Sequence, residues 1–352
     1  MRKSLLDILV DPVSKSELTL AVTDGPEDQV IGGALQSPEG NSYPIVGGIP
    51  RFVLTEDSGQ KQTEKSFGYK WQQRDAWYSP EVRAACQPWL IQRYGFESVE
   101  EMRSFFAAHR RVLDAGCGSG FASSLWIDPS WRGSGNAEWI GADISKAIDV
   151  AQEKLESIPG AHFIQADILQ LPFRAQTFDA IFSDGVLHHT PSTERALKSL
   201  ATLLTQGGEI LFYIYRVKSP VREFTDDYVR DAISALDPAT AWEALRPLTK
   251  LGQALAELHA EVEVPEDVPV LGIKAGRYNV QRLFYWHFAK LYWRETFTFE
   301  ENNHVNFDWY HPRYSTRHTE EEIRRWCSES GLRITRFDET QESGFSVRAI
   351  KE

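Results

Sequence analysis

Three glycines alternate with Cys117 and Ser119 directly behind a strand-like run in VLDAGCGSGFAS, residues 112–123. Glycine weakens any strand or helix it enters, so Gly116, Gly118 and Gly120 mark a turn where something must approach the backbone. The spacing is G-x-G-x-G, not the G-x-G-x-x-G that cradles a pyrophosphate. Acids follow at the tips of the next two strand-like runs: Asp143 in AEWIGADI, with Ile144 behind it, and Asp167 in AHFIQADI, followed by Ile168. A carboxylate at the second tip suits two ribose hydroxyls, because each oxygen can accept one O–H. An acid at the third tip suits the exocyclic amine of an adenine, and Asp114 is placed to face an ammonium. Together these features outline a nucleoside with an amino-acid tail and no phosphates, which is S-adenosylmethionine.

Displacement at a sulfonium methyl asks for alignment and exclusion of water. A hydroxyl or amine acceptor also needs a base within hydrogen-bond reach. His188 and His189, in DGVLHHT, are candidates for it; the plainer reading is that they pack the loop. Asp184, just before them, is a candidate partner for the cofactor's ammonium. Phe67, Tyr69 and Trp71 in SFGYKWQ offer rings that could close over the cofactor and favour its charge, with Trp71 also toward the acceptor. Farther on, YWHFAKLYW (285–293) and NNHVNFDWYHPRYSTRHT (302–319) crowd aromatic and charged residues together. His304 and Tyr310 are further catalytic candidates there, and Asp308, Arg313 and Tyr314 candidate pocket lining. The histidine separations fit no metal pattern, so no metal is expected.

The elements that must carry these residues are legible in outline. RRVLDAG, AEWIGADI, AHFIQADI, FDAIFSD and EILFYIY read as strands, separated by helical segments such as SKAIDVAQEKLESI, capped at Ser145, and STERALKSLATLL, closed by Gly207 and Gly208. Strands alternating with helices imply a parallel sheet covered on both faces, and ligands of such sheets bind beyond the carboxyl ends of the strands. The fold class expected is therefore α/β, Rossmann-like. Residues 1–55 read as a small β-rich unit, 56–106 as a linker and helical lid segment with the polar stretch 55–66 as the linker itself, 107–215 and 317–352 as the cofactor-binding core, and 216–316 as a helical, aromatic insertion that selects the substrate.

Composition bounds the partners. The 352 residues carry a net charge of −12, which argues against a phosphate backbone as main partner. With 42% hydrophobic residues and 11 tryptophans, a small hydrophobic or aromatic acceptor is favoured. The three cysteines are too few and too widely spaced for a disulfide framework. The apolar run at the N-terminus is broken by Asp7 and Asp11, too short for a signal sequence or a membrane span, so a cytoplasmic protein is expected.

The set VLDAGCGSG, GADIS, QADILQLPF, FDAIFSDGVLHHT and LLTQGGEILFYIY resembles the successive motifs of class I S-adenosylmethionine-dependent methyltransferases of the type 11-like kind. The resemblance implies a seven-stranded, mostly parallel sheet with an antiparallel last strand, which the terminal segments LRITRFDE and SGFSVRAIK suit. It also implies methyl transfer to an oxygen, nitrogen, sulfur or carbon nucleophile. A protein or RNA methyltransferase, or a non-catalytic cofactor-binding scaffold, are the alternatives. The N-terminal LLDILVDPVSKSELTL and SYPIVGGIPRFV resemble a small zinc-ribbon-like domain. Where that domain has a C-P-x-C pair this chain has Asp11, Pro12 and Ser14, so a metal-free remnant is expected.

Overall fold

The computed structural model of the chain describes residues 1–54, 56–73, 78–133, 135–339 and 343–352; Thr55, the first residue of the stretch read as a linker, lies outside them. At the N-terminus, β1 (Thr19–Asp24), β2 (Gly32–Gln36), β3 (Ser42–Val46) and β4 (Ile49–Pro50) form an antiparallel sheet in that order. Where the zinc-ribbon resemblance would place a thiolate, the buried Asp11 carboxylate gathers four donors. Its Oδ1 accepts from the N–H groups of Val13 (2.8 Å) and Ser14 (2.9 Å), and its Oδ2 from Asn41 Nδ2 and the Tyr43 hydroxyl, both at 2.9 Å. Burial works to raise this carboxyl's pKa, but the donors hold it well below the usual carboxylate range. Among the described residues no group of three His, Cys, Asp or Glu is placed to hold a metal ion.

The stretch 55–66 proves to be mostly helix. Helix α1 (Ser58–Gln72) starts at Asp57, whose side chain accepts from Gln60 N–H at 2.7 Å. Its buried stripe consists of Gln60, Thr63, Ser66, Gly68 and Lys70, polar or small residues that give no apolar periodicity to read. Helices α2 (Pro80–Arg93) and α3 (Val99–Ala107) follow, capped by Ser79 and Ser98.

The central sheet takes β5 (Arg111–Ala115), then α4 (Phe121–Ser124), β6 (Glu138–Asp143), α5 (Ala147–Leu155), β7 (Ala161–Gln165), β8 (Phe178–Asp184), α6 (Thr193–Leu203) and β9 (Leu204–Tyr215). After β9 come α7 (Pro220–Ile233), α8 (Pro238–Glu257), the short hairpin β10 (Glu261–Val264) and β11 (Gly276–Asn279), α9 (Val280–His287) and α10 (Phe299–Tyr310). The chain then re-enters the sheet through α11 (Glu320–Glu329), β12 (Leu332–Asp338) and β13 (Gly344–Lys351). The seven strands lie in the order β12-β13-β9-β8-β5-β6-β7. From β9 to β7 the pairs are parallel, while β13 runs antiparallel to both neighbours. Gly207 and Gly208 fall inside β9, not at the end of α6, because the strand begins directly at Leu204.

Side-chain alternation divides the core in two. Ile210, Phe212 and Ile214 pack with the N-terminal unit, α6 and α11 on one face; Leu211, Tyr213 and Tyr215 pack with α2, α3, α5 and the inserted helices on the other. The N-terminal unit also meets the exposed edge of the sheet. Phe52 N–H donates to the Gln165 carbonyl at 2.7 Å, and Arg51 bonds Asp149 and Gln165, so β7 is covered against edge pairing. No helix of the described residues is long and apolar enough to cross a membrane.

Candidate active site

Strand β5 ends at the glycine turn, and the turn is held open by backbone that only glycine takes easily. Gly116, Gly118 and Gly120 have φ of +82°, +55° and +75°. A Cβ on Gly116 would stand 2.2 Å from Val186 Cγ1, and one on Gly118 would stand 2.8 Å from Trp71 Nε1. The turn is tied to the second strand tip, since Gly118 N–H donates to Asp143 Oδ2 at 2.9 Å. Asp143 Oδ1 accepts from the Ser145 N–H (2.8 Å) and hydroxyl (2.6 Å). A carboxylate offers about four acceptor positions, so Oδ2 retains one for a ligand hydroxyl where the sequence suggested two direct contacts. Asp114 is buried and, among the described residues, accepts only from the Ser123 hydroxyl, at 2.6 Å. Burial pushes its carboxyl up to about 7, with the nearby Asp143 charge adding to the rise and the Ser123 hydroxyl opposing it.

From this turn a cavity of about 590 Å³ runs to the inserted helices. Asp114, Gly116, Gly118, Asp143, Ile144, Ala166 and Ile168 line one half, under Phe67 and Trp71 of α1. The other half is walled by Trp89, Tyr213, Tyr215, Tyr285, Trp286, His304, Asp308 and Trp309, with several cations among them. The parity of β5, β8 and β9 puts Asp114, Asp184, Tyr213 and Tyr215 on one sheet face, and Lys70 of α1 reaches Asp308 of α10 as an ion pair above it. Two asparagines of α10 fix the backbone opposite: Asn302 Oδ1 accepts from Arg294 N–H at 2.7 Å, and Asn306 Oδ1 from Tyr292 N–H at 2.9 Å.

A family model described as a methyltransferase domain matches residues 107–252, the stretch that carries the glycine turn, the strand tips and the first inserted helices. Residues 107–252 are a methyltransferase domain. Its strands β5 to β9 join β12 and β13 in the seven-stranded sheet with antiparallel β13, the arrangement implied by the resemblance to class I S-adenosylmethionine-dependent methyltransferases. Among named relatives, the probable tRNA methyltransferase 9B of Mus musculus is 32% identical over 117 residues, 32% of this chain and 23% of the relative. The phthiotriol/phenolphthiotriol dimycocerosates methyltransferase of Mycobacterium leprae is 26% identical over 127 residues, 36% of this chain and 46% of the relative. The chain thus spans less than half of either. Among solved structures, magnesium protoporphyrin IX methyltransferase from Synechocystis PCC 6803 with bound cofactor aligns with 85% of this chain and 100% of that one, at 13% identity and a TM-score of 0.42.

The fold places the expected site residues unevenly. Phe67, Trp71, Asp114, Gly116, Gly118, Asp143, Ile144, Ile168, Asp184, His189, His304 and Asp308 all line the cavity. Gly120 does not; its missing Cβ makes room for Leu155 of α5 instead. Asp167 stands between two lining residues but turns its carboxylate back to cap Leu169 N–H at 2.9 Å. Tyr69 packs on Trp242 and Phe307, behind the lining. Asp184, expected to meet the cofactor, is already engaged by Arg93 and by the Tyr94 hydroxyl (2.7 Å).

The histidines separate into distinct roles. His188 is buried, stacks on Tyr215 with centroids 3.6 Å apart, and is not part of the lining. His189 Nδ1 lies 2.6 Å from the Tyr314 carbonyl. A carbonyl oxygen only accepts, so Nδ1 carries the proton and Nε2 presents a lone pair. Burial lowers its pKa to about 4 against the pull of Asp308, and it is neutral at pH 7. His304 lies between Trp71 and Trp242, and burial holds it well below the ordinary histidine value.

Three residues from the inserted region lie off the cavity. The Tyr310 hydroxyl donates to Asp226 Oδ1 (2.8 Å) and accepts from Lys290 N–H (2.9 Å), so it positions the neighbouring segment from behind. Arg313 pairs with Asp231 in solvent, and the Tyr314 hydroxyl donates to Asp57. Arg93, Lys218, Arg222, Arg282 and Arg294 also line the cavity and were not among the expected site residues. The available signals were an arginine at helical spacing from Leu90 in α2 and the period-two tyrosines of β9.

Proposed function

We propose that the protein transfers a methyl group from S-adenosylmethionine to a small-molecule acceptor held in the half of the cavity built by residues 216–316. The observation that carries this reading is the continuity of one cavity from the glycine turn to the inserted aromatics. Its volume is within the range of small-ligand sites. Fit of the cofactor is supported by the donor set: a turn that would lose its opening to any Cβ, a carboxylate at the second strand tip, and Asp114 awaiting a cation.

When bound, the cofactor supplies an electrophilic methyl on a sulfonium whose departure as a neutral thioether needs no acid. The chain's own residues then do the rest. Gly116, Gly118, Asp114 and Asp143 fix one partner, with Ile144 and Ile168 beside them and Phe67 and Trp71 covering it. Aromatic walls exclude water. For an O–H or N–H acceptor, His189 Nε2 takes the proton as the acceptor's bond to the methyl carbon forms. His304 is the second candidate in the same cavity.

Incubation of the purified protein with labelled cofactor and, separately, a pool of small metabolites or bulk tRNA tests the reading. Label in a small molecule is the expected result. Label in tRNA alone would move the acceptor to the macromolecular class that the mouse relative's name indicates.

A further inference from the structure

The acceptor half of the cavity holds more positive charge than its acids balance. Arg93 is paired to Asp184 through one nitrogen, and among the described residues its Nε and Nη1 have no hydrogen-bond partner. Arg222 is paired with the buried Asp226, and Lys70 with Asp308. Arg282, Lys290 and Arg294 also line the cavity, and among the described residues none of the three has an ion pair. They meet aromatic faces instead: Lys290 Nζ lies 4.4 Å from the Trp309 centroid and Arg282 lies 5.5 Å from that of Tyr285.

These cations share one end of the cavity. Arg222 lies 5.1 Å from the Tyr285 ring and 5.5 Å from the Trp309 ring, and so joins the Arg282 and Lys290 sites. The charges of Arg294 and Arg282 both act on the Tyr292 hydroxyl, and those of Arg294 and Arg93 both act on the Cys86 thiol. The backbone that carries Lys290, Tyr292 and Arg294 is fastened by Tyr310, Asn306 and Asn302. Lys290 and the more exposed Arg294 are therefore carried on a fastened backbone. An isolated buried ammonium is costly: burial drives the Lys290 amine down to about 7, Asp308 and Asp226 pull it up, and Arg222 and Lys70 push it lower.

We infer that the acceptor carries an oxyanion, a carboxylate or a phosphate, on an aromatic or apolar body, and that Lys290, Arg282 and Arg294 bind the oxyanion while the rings of Tyr285, Trp286 and Trp309 bind the body. Guanidinium groups suit this task because their paired N–H donors match two oxygens at once. The inference rests on the proposed methyl transfer only for calling the bound molecule the acceptor.

Calorimetric titration at pH 7 with matched probes tests it, in saturating S-adenosylhomocysteine and again without it. The pairs are benzoate and benzamide, indole-3-acetate and indole-3-acetamide, phenyl phosphate and phenol. At least one anion is expected to bind ten-fold or more tighter than its neutral partner, and the carboxylate and phosphate arms show which oxyanion fits. Lys290→Met and Arg282→Gln are each expected to reduce that preference at least five-fold while leaving S-adenosylhomocysteine affinity and melting temperature near the parent's. Equal binding within every pair, or a preference that survives in both variants, would overturn the inference. Failure of S-adenosylhomocysteine to bind would count against methyl transfer and leave the anion preference readable by itself.

Discussion

Lys70 and Asp308, 238 positions apart, meet as a partly buried ion pair that joins α1 to α10 over the cavity. Asp308 also accepts from the Tyr215 hydroxyl at 3.3 Å and faces His189, so one carboxylate links α1, α10 and the sheet. Burial would raise its pKa, yet the positive charge of Lys70 first, with Lys290 adding to it, holds it well below the ordinary range.

Removing one partner should cost more than removing both. Lys70→Met strands the carboxylate and is expected to destabilise the fold by about 3 kcal/mol. The double change Lys70→Met with Asp308→Leu should recover part of that loss. Denaturant unfolding of the two variants checks the order; a single variant as stable as the parent would show that the pair contributes nothing.

Cofactor affinity should depend on pH through Asp114. Its carboxyl, raised to about 7 by burial, is protonated below that pH and can then offer no charge to an ammonium. Affinity for S-adenosylmethionine is therefore expected to fall as pH drops from 8 to 6, approaching ten-fold per unit below 7, with proton release on binding in the acid range. Asp114→Asn should bind weakly and without this dependence, as read by calorimetry in buffers of different ionisation enthalpy.

The paired histidines should answer differently to the same substitution. His189→Gln removes the Nε2 lone pair at the cavity and is expected to lower kcat for an O–H or N–H acceptor by about a hundred-fold, with little change in KM or melting temperature. His188→Gln removes the stack on Tyr215 and should lower the melting temperature instead. Equal losses of kcat would assign both residues to the scaffold.

The N-terminal unit should depend on Asp11 and not on metal. Asp11→Ala leaves the Tyr43 hydroxyl, Asn41 and two N–H groups without their acceptor, at a cost of about 2 kcal/mol or more. Chelation of the parent protein should leave its unfolding curve unchanged; a shift on chelation would place a metal in this unit.

The strand and helix order of the core was legible because β6 and β8 end in the acids Asp143 and Asp184, the glycine turn follows β5, and α5 and α6 each bury an apolar face. Asp114, Asp143 and the glycine turn followed from type and position alone. Helix α1 was hidden because its buried face is polar, and the Asp143 contacts to Gly118 and Ser145 were hidden because backbone donors leave no trace in sequence. The cationic wall was hidden for a different reason. A net charge of −12 describes the surface average, while Arg93, Arg222, Arg282, Lys290 and Arg294 are brought to one cavity from α2, α7, α9 and the segment before α10. Tyr310 had the right chemistry for a site and the wrong side of its helix.

Calorimetric titration with S-adenosylmethionine, on the parent protein and on Asp143→Ala and Gly118→Val, tests the central claim most directly. The account predicts one saturable site in the parent, a loss of about 1 to 3 kcal/mol in Asp143→Ala, and no binding in a folded Gly118→Val, where the new side chain would fill the turn beneath Trp71. Parent-like binding in both variants, or no binding in the parent, would contradict it.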